Sequence, residues 1–208
     1  MSSLGALAGH PIVPVVVIND PDRAVELARA LAAGGIRCAE ITLRTPRAIE
    51  AIRAMSTVPG FTVGVGTVLT EAQLIDSLDA GAQFVVSPGI DEGLVRLALD
   101  RGVGVLPGIA TASEAMTAIR LGLNAVKFFP ADRLGGLLTI RALAAALPQL
   151  GFVPSGGVNA ATAAEYLADP AVPAVSGAWV APAALIDAGA FDDITALAAS
   201  ATSLLAAS

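Results

Sequence analysis

The chain has 208 residues and a formal net charge of −6; 55% of its residues are hydrophobic and only 14% are charged. This composition excludes nucleic acid as the main partner, because a phosphate backbone requires clustered Lys and Arg side chains. The longest apolar run, Pro11–Ile18, is far shorter than the roughly 20 residues that cross a bilayer. A membrane protein is therefore disfavoured, and a compact α/β protein with strands buried on both faces is favoured.

Cysteine and charge usage also indicate a compartment and an assembly. The single cysteine, Cys38, cannot form an internal disulfide, which fits a reducing compartment. The segment before Pro11 has no Lys or Arg and so lacks the basic start of a secretory signal. We therefore expect a cytoplasmic protein with no membrane partner. The low overall charge predicts that part of the apolar surface is covered by oligomerisation.

Short apolar runs recur along the chain, and each is followed by a longer amphipathic segment. Most of these runs are rich in Val, Ile and Phe without polar interruptions, as is typical of parallel strands covered on both faces. The predicted strands are Ile12–Ile18, Cys38–Leu43, Thr62–Val68, Phe84–Pro88, Gly104–Ile109, Ala125–Pro130, Phe152–Gly157 and Ala174–Trp179.

The segments between the runs carry signals for the start and end of helices. Several begin after a short side chain with an oxygen atom that can accept a hydrogen bond from free N–H groups. These predicted caps are Asp20, Thr45, Thr70 and Thr111, and the clearest helices are Pro21–Ala33, Pro46–Met55, Glu71–Ala80 and Asp91–Arg101. Glycines stand where the helices should end, at Gly34, Gly35, Gly81, Gly102 and Gly122.

Eight strand-and-helix units in succession predict a (β/α)8 barrel, also called a TIM barrel, which is an α/β fold. We predict one such domain over residues 1–208. An open, doubly wound sheet is the main alternative, but it would need fewer strands or a longer chain. The first predicted strand is also not followed by the G-x-G-x-x-G motif of that fold. In a barrel, the functional side chains lie at the carboxyl ends of the strands.

Lys127 is the most informative residue at those strand ends. It is the only lysine in the chain and lies within an apolar run, between Val126 and Phe128. An ammonium group is expensive to desolvate, so burial favours a neutral amine, which is the form that attacks a ketone. A lysine that only reaches for solvent or forms a structural ion pair is the alternative. The sequence therefore predicts Schiff-base chemistry with a 2-keto acid.

Glu40 is also enclosed by apolar residues, in the second predicted strand. A buried carboxylate suits a general acid or base, although a purely structural pair with Arg44 or Lys127 is the alternative. Arg44 follows the same strand and can bind a carboxylate with two parallel hydrogen bonds. Thr67, after the third strand, offers a hydroxyl to the same group. Without the other residues it would read equally well as a turn or capping threonine.

Glycine-rich turns follow the last two strands, at Ser155-Gly156-Gly157 and Ser176-Gly177. Barrels often bind phosphate there, because glycine permits close approach to backbone N–H groups; ordinary tight turns are the alternative. His10 is the only histidine, and the sequence offers no obvious metal site. We expect neither a metal nor a cofactor.

Taken in order, these motifs resemble the 2-keto-3-deoxy-6-phosphogluconate (KDPG) and 2-keto-4-hydroxyglutarate (KHG) aldolase family over nearly the whole chain. The residues that carry the resemblance are Glu40–Thr45, Gly64–Val68, Ser87-Pro88-Gly89, Pro107-Gly108-Ile109 and Lys127–Ala131. The family implies a homotrimeric barrel and a class I aldolase that needs no metal.

The resemblance also implies a role for each matching residue. Lys127 would form the Schiff base and Glu40 would shuttle protons. Arg44 and Thr67 would hold the pyruvyl carboxylate, and Pro88 and Phe129 would shape the pocket wall. Gly156 and Gly157 would face the phosphate, and Ser155 would lie near the substrate hydroxyls. Ser176 could supply the hydroxyl that Ala178 lacks. Two positions depart from the family: Thr is common where this chain has Ser155, and Gly-Gly-Ser-Trp where it reads Ser176-Gly177-Ala178-Trp179.

The function predicted from the sequence is cleavage of KDPG to pyruvate and glyceraldehyde 3-phosphate. The departures leave open a KHG aldolase or an aldolase for another pyruvate-derived aldol. Two other classes remain: a phosphosugar isomerase or synthase that uses Lys127 only as a charge, and a barrel that binds its ligand unchanged.

Overall fold

The computed structural model describes residues 4–206. In that part of the chain, eight parallel strands alternate with helices. The strands are β1 (Ile12–Val16), β2 (Cys38–Thr42), β3 (Thr62–Gly66), β4 (Phe84–Ser87), β5 (Gly104–Ile109), β6 (Ala125–Phe128), β7 (Gly151–Pro154) and β8 (Val175–Gly177).

The strands form one sheet in which each pairs with its neighbours in the chain. Strand β8 returns to pair with β1, and a bridge between Ser155 and Ser176 joins the ends of β7 and β8. The sheet therefore closes on itself, and the predicted (β/α)8 barrel is confirmed. The predicted bounds, 1–208, reach further than the described residues, because 1–3 and 207–208 lie outside them.

Helices cover the outside of this sheet between residues 4 and 206. Their bounds are α1 (Ala24–Ala33), α2 (Ala48–Ser56), α3 (Glu71–Asp79), α4 (Glu92–Asp100), α5 (Ala112–Arg120), α6 (Gly136–Ala146), α7 (Ala160–Leu167), α8 (Ala183–Ala188) and α9 (Phe191–Ser203). The four helices predicted most clearly are present. The first turn of the predicted Pro21–Ala33 helix is a separate 3-10 turn, Pro21–Arg23.

Three of the four predicted helix caps are confirmed. Asp20 accepts from the backbone N–H of the 3-10 turn that leads into α1, Thr70 caps α3, and Thr111 forms a reciprocal capping box with Glu114 at α5. The prediction for Thr45 was wrong. Its hydroxyl donates a hydrogen bond of 2.7 Å to the carbonyl oxygen of Ile18, and α2 begins only at Ala48 without a side-chain cap. The Thr45 side chain is thus bonded to a residue from a distant part of the chain, and α2 lacks the side-chain cap that the local sequence predicts.

Most predicted strands extend too far at their carboxyl ends. The predicted ends Ile18 and Val68, for example, lie two residues beyond the observed ends of β1 and β3. Both side chains are nonetheless buried, so the apolar pattern continues into the loops. Burial at this end of the barrel comes from loops that pack on the core, and a hydrophobic run does not reveal where the ladder of hydrogen bonds ends.

The interior of the barrel is filled by side chains from alternate strand positions. Residues paired in register across parallel strands face the same side of the sheet. Glu40 pairs with Val15 and Gly64, whereas Lys127 pairs with Gly108 and Val153.

Between residues 4 and 206, no helix is long and apolar enough to cross a membrane.

Cys38 generates a prediction about thiol reactivity. It is fully buried at the start of β2 with its Sγ 3.4 Å from the carbonyl oxygen of Ile12, and burial raises the pKa of the thiol to about 12. Because only the thiolate is reactive, we expect no reaction with a chromogenic disulfide reagent at pH 8 in the folded protein. One equivalent should react in guanidinium chloride. Rapid stoichiometric labelling without denaturant would contradict this burial.

Candidate active site

Lys127 on β6 and Glu40 on β2 meet inside the barrel. The lysine Nζ lies 3.6 Å from the Glu40 Oε1, and the two residues are 4% and 1% exposed. This is the distance of an ion pair and is longer than a good hydrogen bond. Among the described residues, Glu40 Oε1 has no hydrogen-bond partner. The carboxylate is therefore placed to exchange protons with the lysine or with a bound ligand.

The surroundings of Lys127 are apolar and crowded on one side. Its Nζ lies 5.1 Å from the centroid of the Phe129 ring, within the range of a favourable contact between an amine cation and an aromatic face. Lys127 is itself only 4% exposed. The amine is thereby kept from bulk water, and Phe129 connects it to an open cavity.

That cavity has a volume of about 370 Å3. It lies at the carboxyl ends of the strands and combines a guanidinium, an aromatic ring, a hydroxyl and two glycine-rich turns. Its lining consists of Val15, Arg44, Phe129, Ser155, Gly156, Gly157, Val158, Gly177, Ala178 and Trp179. Six of the eleven residues predicted for the site thus share one cavity. Lys127 lies next to it through Phe129, and Glu40 lies beside the Lys127 amine.

Three predicted substrate-binding residues, Thr67, Pro88 and Ser176, are not among the residues that line this cavity. Thr67 is half-buried and has a φ of 61°, a left-handed conformation that is strained for a threonine and that often occurs at functional sites. The Pro88 carbonyl lies against Gly108, the register partner of Lys127. The hydroxyl of Ser176 is buried without a hydrogen-bond partner among the described residues. The roles assigned to these three residues remain predictions.

Four lining residues were outside the predicted set. Val15 is the register partner of Glu40, so its inward direction follows from the sheet, but an apolar side chain in an apolar run carries no chemical signal. Val158 carries no chemical signal either, and Ala178 was noted only as part of a departure from the family pattern. Trp179 entered the sequence analysis only as the end of the last predicted strand and beside Ala178. Its ring lies against Gly177, where an added Cβ would overlap it, and it forms one wall of the cavity.

The acidic side chains were also compared with the requirements of a metal site. Between residues 4 and 206, no group of three or more His, Cys, Asp or Glu side chains could hold a metal ion. The Glu114 carboxylate is bound to backbone N–H groups at the start of α5. Its Oε2 accepts hydrogen bonds of 2.8 Å from the N–H groups of Ala110 and Thr111.

Comparison with known proteins gives a consistent result over nearly the whole chain. The family model described as "KDPG and KHG aldolase" matches residues 5–197. The KHG/KDPG aldolase of Escherichia coli K12 is 43% identical over 198 residues, which are 95% of this chain and 93% of that protein. The crystal structure of KDPG aldolase from Legionella pneumophila, with pyruvate captured as a covalent carbinolamine, superposes with a TM-score of 0.92 at 38% identity, covering 97% of this chain and 98% of the other.

A second solved structure agrees. The KDPG aldolase of Zymomonas mobilis with 3-phosphoglycerate has a TM-score of 0.89 and 42% identity, covering 94% of this chain and 92% of the other. The resemblance read from the motifs is thus confirmed, and the chain belongs to the KDPG and KHG aldolase family.

Proposed function

We propose that this protein is a class I aldolase that cleaves KDPG to pyruvate and glyceraldehyde 3-phosphate, in sugar-acid catabolism of the Entner–Doudoroff type. The observation that carries the proposal is the buried pair of Lys127 and Glu40 beside an open cavity. An amine held in an apolar strand can form an imine. The carbinolamine formed by the Legionella pneumophila relative supports the same chemistry here.

The first half of the reaction forms the imine. The neutral Nζ of Lys127 attacks C2 of the keto acid to give a carbinolamine. The C2 oxygen, once protonated, leaves as water, and a protonated imine remains. Glu40, at 3.6 Å from the amine, delivers and removes these protons as a general acid and base. The apolar surroundings of β6 limit the access of bulk water to the imine.

The second half breaks the carbon–carbon bond. The protonated imine accepts the electron pair of the C3–C4 bond while a base removes the proton of the C4 hydroxyl, so an aldehyde leaves and an enamine remains. Glu40 returns a proton to C3 of the enamine. Addition of water to C2 then releases pyruvate and restores the free amine of Lys127, so that atoms and charges balance over the cycle.

The substrate lies in the cavity with its two anionic ends held by different groups. Arg44 and Thr67 bind the carboxylate next to C2, and Pro88 and Phe129 form the wall that orients the keto group. Backbone N–H groups of the turn at Gly156 and Gly157 and of the turn at Ser176 and Gly177 bind the phosphate. Ser155, which lines the cavity, donates to a substrate hydroxyl. Local donors thereby attract an anion despite the negative net charge of the chain.

The test of the proposed chemistry is reductive trapping. Incubation with pyruvate followed by borohydride should add one reduced pyruvyl group, and peptide mapping should locate it on Lys127, because only an imine is reduced to a stable amine. Omission of borohydride provides the control for non-covalent binding. A folded protein that gains no mass with pyruvate in excess would instead indicate an isomerase or a non-catalytic binding barrel.

The Lys127→Arg variant separates these alternatives. It keeps a positive charge but cannot form an imine, since a guanidinium stays protonated. Aldol cleavage and trapping should both disappear, while a role that depends on charge alone would survive in part. Thermal melting close to that of the original protein is required before the loss is interpreted.

A KHG aldolase is the second candidate, favoured by Ala178. This residue is exposed and lines the cavity but has no hydroxyl to offer a phosphate. The Ala178→Ser variant should therefore lower KM for KDPG by about tenfold, the effect of one hydrogen bond to a charged group. KHG, which has no phosphate, serves as the matched control and should be unaffected. Faster turnover of KHG than of KDPG by the original protein would assign KHG as the substrate.

We also propose a homotrimer in the cytoplasm. Family resemblance supports the trimer, and three large hydrophobic side chains on the described surface, Leu69, Met116 and Leu138, support a covered interface. A phosphorylated substrate, which does not cross membranes freely, supports the location. Light scattering should give three times the chain mass of 20.7 kDa, and fractionation should recover the protein with cytosolic markers. A monomeric mass at micromolar concentration would contradict the assembly.

A further inference from the structure

The carboxylate of Glu40 has an unusual neighbour in the adjacent strand. It packs directly over the backbone of Gly66, the last residue of β3. A Cβ atom added at Gly66 would lie 2.6 Å from both Cγ and Cδ of Glu40 and would overlap Oε1. Separations below about 3 Å are sterically forbidden between such atoms. The carboxylate and a side chain at position 66 therefore cannot occupy their places together.

The need for glycine at position 66 is a matter of space and not of backbone conformation. The φ of Gly66 is not positive, unlike that of Thr67, which follows it. Gly66 is in a regular strand, and its carbonyl oxygen accepts a hydrogen bond of 2.9 Å from the N–H of Leu43. Any residue could adopt this conformation, and glycine in a strand is otherwise unfavourable. The reason for glycine here is therefore the side chain of Glu40.

Two other observations place this contact between Gly66 and Glu40 next to the Lys127 amine. Gly66 is the register partner of Thr42, two residues from Glu40 on the same face of β2, so the carboxylate extends over it towards the carboxyl end of the barrel. At the end of that side chain, Oε1 is 3.6 Å from Lys127 Nζ and accepts no hydrogen bond from the described residues. Among the described residues, Oε1 is thus held by no hydrogen bond, and the contacts that remain to it are the space above Gly66 and the ion pair with Lys127.

We propose that Gly66 is a positioning residue for catalysis: it leaves the space in which the Glu40 carboxylate lies against the Schiff-base lysine. The proposal rests on the proposed function. A methyl group at position 66 moves the carboxylate away from Lys127, and a displacement of about 1 Å can reduce a rate by about 100-fold. Substrate binding, which depends on Arg44 and the glycine-rich turns, is untouched.

The Gly66→Ala variant is the test, with Gly64→Ala as its matched control. Both glycines belong to β3 and face the barrel interior, but the three atoms nearest to an added Cβ belong to the Phe84 ring at Gly64 and to Glu40 at Gly66. For Gly66→Ala we expect kcat to fall by about 100-fold with KM nearly unchanged. For Gly64→Ala we expect a lower melting temperature with kcat close to that of the original protein. Equal losses of kcat in both variants would overturn the proposal.

A double variant separates an effect through Glu40 from any other effect. If Gly66 acts only by placing this carboxylate, Glu40→Gln already removes the catalytic contribution that depends on Gly66. Adding Gly66→Ala then causes no further loss of kcat. The kcat of Gly66→Ala/Glu40→Gln should then equal that of Glu40→Gln alone. A further loss of about 100-fold, as expected from independent effects, would show that Gly66 acts elsewhere.

If the Gly66→Ala variant does not fold, its folding in a Glu40→Ala background tests the same contact. Glu40→Ala removes all three atoms that an added Cβ would contact, so Gly66→Ala should fold in that background, as measured by circular dichroism and thermal melting. Failure to fold there as well would overturn the proposal. Trapping of pyruvate by the original protein is measured first. If it gives no adduct, the aldolase function fails, whereas the stability comparison still tests the contact between Gly66 and Glu40.

Discussion

The interior of the barrel has to hold two ionisable side chains, Lys127 and Glu40, away from water. Removing either charge from water opposes folding by several kcal/mol, and a buried ion pair often fails to recover that free energy relative to apolar residues of the same volume. The remainder of the chain is correspondingly apolar. Short runs rich in Val, Ile and Phe on the strands, with alanine-rich helices outside them, stabilise a barrel that can accommodate such a pair. We interpret the pair as retained for its chemistry.

Free space in this interior is set by glycines, because a barrel of eight strands is filled with side chains. The ring of Phe84 lies where Gly64 leaves space, and the carboxylate of Glu40 where Gly66 does. Gly108 likewise permits the close approach of the Pro88 carbonyl beside the strand of Lys127. Large or charged side chains thus fit where a neighbouring glycine lacks a Cβ. The geometry of the site therefore also depends on residues that have no reactive group.

The open side of the site follows from a different constraint. Parallel strands all end at the same face, so the end of β8 and the loops after β2, β6 and β7 bring Gly177, Arg44, Phe129 and Ser155 to one cavity. Loop residues beyond the strand ends, such as Ile18 and Val68, are nevertheless buried. The loops after β1 and β3 thus pack on the core beside the loops that carry the binding groups.

The sequence by itself determined the succession of eight strands and their helices and most helix caps, and it singled out the lysine and the glutamate of the candidate site. These features are local: hydrophobic periodicity, capping side chains such as Thr70 and Thr111, and a single lysine within an apolar run are visible in short segments. The tertiary structure decided which distant residues meet. Glu40 faces Lys127, Val15 and Trp179 line the cavity, and Thr45 bonds to Ile18 instead of capping a helix. These contacts depend on strand register and on the stagger that closes the barrel, which arise from hydrogen bonds between separate strands and are not specified by any one segment.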